Sequence, residues 1–320
     1  MTEKTRKQIE DMKKSRFGLE VEMNHITREK AAKIAAELFG TGRYRNTAAQ
    51  NGYCTVSAWD AQGREWKFQR DSSIPGPDRE KCEVVSPILV YEDLELMQEL
   101  LRRLRKAGAK SSGDKGMGIH CHVDASGHTP QSLRNLANLM ASHENLLIDA
   151  LKLDRGRVDR WCRTVDPDFL KELNKKKPKT MSQLAEIWYT TQGGTYGRNQ
   201  HYHSSRYHCL NYHATFTKGT VEFRCFNFEP PADGRKNGIH AGYIRMVVQL
   251  CLALSQMAKD LKTASPKEQQ KENPKFAMRT FLIRLGMVGP EFATAREFLT
   301  KNLAGDAAFR HGRPASTAVA

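Results

Sequence analysis

The chain has 320 residues, with 51 Lys+Arg against 36 Asp+Glu and a formal net charge of +15. That length builds a core without disulfide staples, and a hydrophobic fraction of 39% stands well above that of disordered chains. No run approaches the ~20 apolar residues of a membrane span, the N-terminus lacks an apolar signal region, and seven cysteines without paired spacing predict reduced thiols in a cytoplasm, so membrane-spanning, secreted-miniprotein and fibrous classes are excluded.

Residues 1–15 read as a charged, flexible leader. Phe17 to Met23 alternates apolar and acidic residues, which predicts a half-buried strand. Thr27 is placed to cap a helix through Phe39, ended by Gly40 and Gly42. Strands near Gly52–Trp59 and Glu65–Arg70 flank a Gln62-Gly63 turn. A short strand at Glu83–Ser86 follows. Leu94, Met97, Leu101 and Leu104 mark one face of a helix stopping near Gly108. Gly118 to Val123 reads as a strand, and Pro130 starts a long helix with Leu133, Leu136, Met140, Leu147 and Leu151 inward. Helical pieces are expected at Asp168–Leu173 and Ser182–Trp188, with strands near Tyr207–His213 and Thr220–Phe226. Asp233 precedes a helix running to about Leu261, Ser265–Pro274 reads as a loop, and a last helix covers about Phe276–Leu285. The order lacks a βαβ rhythm, which predicts an α+β fold with an antiparallel sheet covered by helices on one face. The expected organisation is a single domain over 16–304 with a basic insertion at about 152–205 and a flexible tail at 305–320.

The net charge invites a nucleic-acid reading, since clustered cations release phosphate counterions. Residues 152–180 hold ten Lys/Arg against five acids, but no zinc-finger spacing or RNP-like run accompanies them. A solvated connection between helices accounts for this stretch, with a docking surface for an acidic partner as the alternative.

Three strands carry the informative pattern. Phe17, Leu19, Val21 and Met23 share one face, leaving Glu20 and Glu22 on the other. Ile119, Cys121 and Val123 oppose His120 and His122; Val221, Phe223 and Cys225 oppose Glu222 and Arg224. A single such strand is ordinarily solvated surface. Together they form a polar face of Glu, His and Arg, and Glu83 adds a further carboxylate. Like charges that close raise one another's pKa unless cations intervene. Carboxylates with an occasional imidazole suit Mg²⁺ or Mn²⁺, and Arg224 offers a bidentate fork for phosphate. No Walker A sequence or complete dinucleotide fingerprint occurs, so nucleotide phosphates would be held by metals and arginines on a sheet.

Phe17-Gly-Leu-Glu20-Val-Glu22, Asp71-Ser-Ser, Glu83-Val-Val-Ser86-Pro87, Gly118-Ile-His120-Cys-His122-Val, Arg206 with Leu210-Asn211, and Val221-Glu222-Phe-Arg224 follow in that order. This ordered set resembles the amidoligase family, within the carboxylate–amine ligase superfamily of glutamine synthetase and glutamate–cysteine ligase. The resemblance spans roughly Arg16 to Leu261. It implies a curved antiparallel sheet of the glutamine synthetase catalytic-domain type with helices on its outer face. It also implies ATP and two or three Mg²⁺ or Mn²⁺ ions, with Glu20, Glu22, Glu83, His120 and Glu222 as metal ligands. His122 matches a phosphate-side histidine, Arg224 the arginine at the transferred phosphoryl group, and Arg206 an arginine for phosphate or the substrate carboxylate. Asp71 lies in a variable loop, and nothing transfers to residues 152–180. The implied reaction joins a small-molecule or peptide carboxylate to an amine through an acyl phosphate; neither nucleic acid nor a membrane is the expected partner. The alternatives are a zinc-dependent hydrolase using His201, His203, His208, Cys209 and His213, which nonetheless lack the His-Glu-x-x-His spacing, and a basic nucleic-acid-binding protein on a ligase-like fold.

Overall fold

Alternation with a period of two becomes strand wherever one side of the ribbon can be buried. The computed structural model describes residues 2–50, 52–230, 238–268 and 272–311. Its strands are β1 (Phe17–Met23), β2 (Tyr44–Asn46), β3 (Val56–Trp59), β4 (Glu65–Gln69), β5 (Cys82–Val85), β6 (Ile119–Asp124), β7 (Leu210–Asn211) and β8 (Thr220–Phe226). They form one open antiparallel sheet in the order β2-β3-β4-β5-β1-β6-β8-β7. The helices are α1 (Glu3–Lys13), α2 (Arg28–Leu38), α3 (Leu94–Lys106), α4 (Pro130–Leu151), α5 (Arg155–Trp161), α6 (Pro167–Lys176), α7 (Met181–Thr191), α8 (His213–Thr217), α9 (Ala241–Asp260), α10 (Pro274–Arg284) and α11 (Ala293–Thr300). The fold is therefore α+β, as the pattern of elements predicts.

Leu19, Val21, Cys121, Val123, Val221 and Phe223 are buried on one side of the sheet. There α9 packs on β6 and against α1, α3, α4 and α11, while α2 covers β3 and β4. Among the described residues α9 is the one helix long and apolar enough to cross a membrane, but its apolar window is 89% buried in this core. Thr27 caps α2 by accepting a hydrogen bond from Lys30 N (3.2 Å), and Thr129 and Ser132 cap each other's backbone at the start of α4. Gly63 supplies the positive φ of the β3–β4 turn.

Three expectations change. The leader, read as flexible, is helical: Ile9 and Met12, three residues apart, bury one stripe of α1 against α9. The basic stretch, read as a solvated connection, holds the two expected helical pieces as α6 and α7 and adds α5, and Val158, Phe169, Leu173, Leu184 and Trp188 of these helices join the same core. The strand expected over Tyr207–His213 stays extended only at Leu210–Asn211, because Asn211 Oδ1 accepts from His213 N (2.8 Å) and turns the chain into α8. Asp233, expected ahead of α9, lies outside the described residues; His240 caps that helix. Residues 312–320 of the expected tail are likewise outside them.

Candidate active site

Strand register assembles the site. In β1, Glu22 pairs with Glu83 of β5 and Glu20 with His120 of β6; across the next interface His122 pairs with Glu222 of β8. Directly paired residues project from the same face, so four adjacent strands gather Glu83, Glu22, Glu20, His120, His122, Glu222 and Arg224 on the face opposite the core. This face floors a cleft of about 560 Å³. Glu20, Glu22, Glu83, His120 and Arg224 line it, with Lys67, Gln69, Arg70 and Asp71 at one side and Arg157, Trp161, His201, Tyr202, Arg206 and Tyr207 at the other. The two sides touch where the Tyr53 and Tyr202 hydroxyls meet at 3.1 Å.

Glu20 is central. Its Oε2 meets His120 Nδ1 at 2.9 Å, and its Oε1 stands 3.3 Å from His122 Nε2 and 3.8 Å from Lys218 Nζ. Burial pushes the Glu20 carboxyl up, but the two histidines outweigh it and hold it well below the usual range. Glu83 goes the other way: burial, then the charges of Glu20, Glu22 and Asp71, raise it well above the usual range. Glu222 is also buried, yet Arg224 and His122 depress it; its Oε1 is paired to Arg224 Nη1 and its Oε2 accepts from Asn211 Nδ2 at 2.7 Å. Burial and the nearby Arg224 charge lower His120. Glu22 Oε2 accepts from the Gly118 amide at 2.6 Å.

Three groups of ligand atoms lie within 4.8 Å of one another: Glu20, Glu83 and His120; Glu20, His122 and Glu222; and Glu22, Asp71 and Glu83. Glu20 and Glu83 each belong to two. His122 Nε2 and Arg224 Nε are buried without a hydrogen-bond partner, an expensive condition for polar atoms. For His122 the 3.3 Å approach to Glu20 is an ion-pair distance whose geometry makes no hydrogen bond. An oxygen-rich donor set, mutually repelling carboxylates and an orphaned imidazole nitrogen fit hard divalent cations. Asp71, insecure by sequence, thus joins the constellation. His122 stands in a ligand group instead of lining the cleft, whereas Arg206 stands at the wall, its guanidinium over the rings of Tyr202 and Tyr207 at 5.3 and 5.9 Å.

The histidine-rich segment does not converge. His203 Nδ1 pairs with Ser205 Oγ (2.8 Å), His208 Nδ1 with Thr164 O (3.1 Å), and His213 with the Tyr189 hydroxyl (2.8 Å) and Gln200 O (2.9 Å). The Cys209 thiol donates to Cys162 O. Among the described residues none of these four belongs to a metal-holding group; only His201 of the five reaches the cleft. Arg157 and Trp161 were not anticipated as cleft residues. Asp154, which caps α5 by accepting from Arg157 N at 2.8 Å, is the one local signal that could have placed them on a helix.

The sequence matches the family model described as "Putative amidoligase enzyme" over residues 13–255. Among solved structures, a bifunctional glutathione synthetase from Pasteurella multocida is similar at 12% identity with a TM-score of 0.46. The alignment covers 94% of this chain and 49% of that one, so this chain spans about half the length of the protein it matches. No curated protein matches the chain.

Proposed function

The chain belongs to the amidoligase family and is a ligase enzyme, and on that premise we propose that it joins a carboxylate to an amine at the expense of ATP, through an acyl phosphate. The observation that carries this reading is the set of three overlapping groups, two of carboxylates with an imidazole and one of carboxylates alone, linked through Glu20 and Glu83, with the Arg224 guanidinium beside them. Glu20, Glu22, Asp71, Glu83, His120, His122 and Glu222 would hold two or three Mg²⁺ or Mn²⁺ ions; placing His122 there revises its expected phosphate-side role. Such ions, when bound, supply the positive charge that ATP phosphates need in a site without a Walker loop.

The protein's own residues do the rest. Arg224, only 6% exposed, presents a desolvated fork to the phosphoryl oxygens as their charge rearranges, where its attraction is strongest. Arg206, half-buried at the mouth beside Tyr202 and Tyr207, suits the substrate carboxylate or a second phosphate. The floor supplies orientation: strand-mounted side chains hold the carboxylate nucleophile and the γ-phosphorus in line. The substrate carboxylate takes the phosphoryl group, ADP leaves, and the amine displaces phosphate to leave an amide. The Tyr53–Tyr202 bridge and the aromatic wall favour an amino-acid or peptide substrate, and the thiol chemistry favours a cytoplasmic setting.

The test is an ADP-release screen with Mg²⁺ and ATP across carboxylate and amine pairs, with mass spectrometry for the amide and for ¹⁸O carried from carboxylate to phosphate. Label transfer together with the amide is expected. Tightly held stoichiometric zinc with no ATP turnover would sink the reading.

A further inference from the structure

Strand β8 contains an irregularity that the active face depends on. Cys121 pairs with Phe223 and Ile119 with Phe226, so β8 spends three steps where β6 spends two. Such a bulge breaks the alternation of faces, so that two successive side chains, here Cys225 and Phe226, both turn to the core. Here Arg224 stays on the cleft face with Glu222, while Phe226, opposite the core residue Ile119, returns to the core at 1% exposure. In a regular strand Phe226 would share the cleft face with Glu222 and Arg224.

The bulge is held by one side chain. Arg157, 4% exposed, donates from Nη2 to Arg224 O at 2.9 Å and from Nη1 to Cys225 O at 3.0 Å, with Cys162 Sγ 3.4 Å away. Two successive backbone carbonyls are thereby satisfied by one rigid fork, which the buried, irregular strand could not leave unpaired without cost. The approach is possible only because residue 118 has no side chain: a Cβ there would fall 1.9 Å from Arg157 Nη2. Gly118 is also the residue whose amide binds Glu22, so one guanidinium lies against the backbone of β8 and of the residue that leads into β6. Among the described residues no carboxylate forms an ion pair with it.

We propose that Arg157 is a positioning residue for the phosphoryl-transfer step, fixing the β8 bulge so that Arg224 is aimed into the cleft beside Glu222. This rests on the reading of Arg224 given above and assigns one cation of the basic stretch a role at the centre of the site. Lysine keeps the charge but lacks the planar fork whose two nitrogens hold the two carbonyls in fixed relation.

The experiment compares wild type, Arg157→Lys, Arg157→Ala and Gly118→Ala in the full chain. Melting curves, amide hydrogen exchange by mass spectrometry and steady-state ADP release are measured. In Arg157→Lys and in Gly118→Ala, faster exchange is expected in peptides covering 223–228, with β1 unchanged. In Arg157→Lys, kcat falls about tenfold or more while the KM for ATP holds within about threefold. Free guanidinium restores several-fold activity to Arg157→Ala and none to Arg224→Lys. Unchanged exchange at β8 overturns the proposal. So does a raised KM at unchanged kcat, which would make Arg157 a ligand contact, or loss of cooperative melting in both Arg157→Lys and Gly118→Ala, which would make it structural only. If wild type releases no ADP, the functional reading fails on its own and the exchange comparison still decides whether Arg157 holds the bulge.

Discussion

The floor of the cleft is four paired strands, while the wall facing it is the short helix α5 with the run of turns that follows α7, and the two hold their side chains by different means. On the floor, backbone register places Glu83, Glu22, Glu20, His120, His122 and Glu222, and a core of residues such as Leu19 and Phe223 locks the strands behind them. At the wall, Trp161, Tyr202, Arg206 and Tyr207 are kept by an edge-on ring contact, the Arg206 guanidinium over two tyrosine rings, one hydroxyl bridge and one hydrogen bond to a loop carbonyl. Chemistry common to a reaction class belongs on the rigid part, and substrate choice on the adaptable one. The region that gives most of the family resemblance is accordingly the floor, and at the wall Arg206 is the one residue that the resemblance assigns a role.

That contrast can be broken by substitution. The largest effect is expected on the floor: Glu20→Gln removes a charge shared by two ligand groups and should lower Mg²⁺-dependent ADP formation by roughly 10²–10³-fold, with the melting temperature little changed. Wild-type turnover in that variant would remove Glu20 from the site. Arg224→Lys keeps the charge but loses the fork and should cost about 10²-fold in kcat, read in the same assay.

A third prediction concerns how the wall is anchored. Glu144 on α4, 5% exposed, accepts from Val165 N with both oxygens (2.9 and 3.0 Å) ahead of α6. Burial pushes its carboxyl up to about 7 from an ordinary 4.5. Between those values the folded chain keeps a proton that the unfolded chain has lost, so this group's contribution is full below about 4.5 and is lost as pH rises toward 7. The change amounts to up to about 3 kcal/mol. Urea titrations at pH 5 and 7 should show Glu144→Gln flattening this slope; an identical pH dependence in mutant and wild type would reject it. The smallest effect belongs to Tyr202→Phe, which removes only the hydroxyl bridge to Tyr53. It should raise the substrate KM about three- to tenfold and leave kcat alone. A fall in kcat comparable to that of Arg224→Lys would erase the distinction between floor and wall.

Much of this was legible along the chain because a strand's side chains alternate with a period of two wherever it lies. Phe17–Met23 and Thr220–Phe226 could be bounded to the residue, and Glu20, Glu22, His120, His122 and Glu222 assigned to one face, before any pairing was known. α5 escaped notice because its seven residues show no apolar repeat; its buried side chains are Val158 and a charged Arg157. The histidines after residue 200 suggested convergence by their density, yet His203, His208 and His213 turned to a nearby carbonyl or hydroxyl and only His201 of the set reached the cleft, since neighbours in sequence on irregular backbone need not point to a common centre.

Alternation, caps and glycine turns are local properties, so the amino-acid sequence by itself determined the central strands β1, β6 and β8, their two faces and the α+β class. Register, the sharing of Glu20 and Glu83 between ligand groups, and the seating of Arg157 against Gly118 were decided by tertiary structure. Each depends on which residue of a distant segment lies opposite, and that is set only when the core behind the sheet is packed.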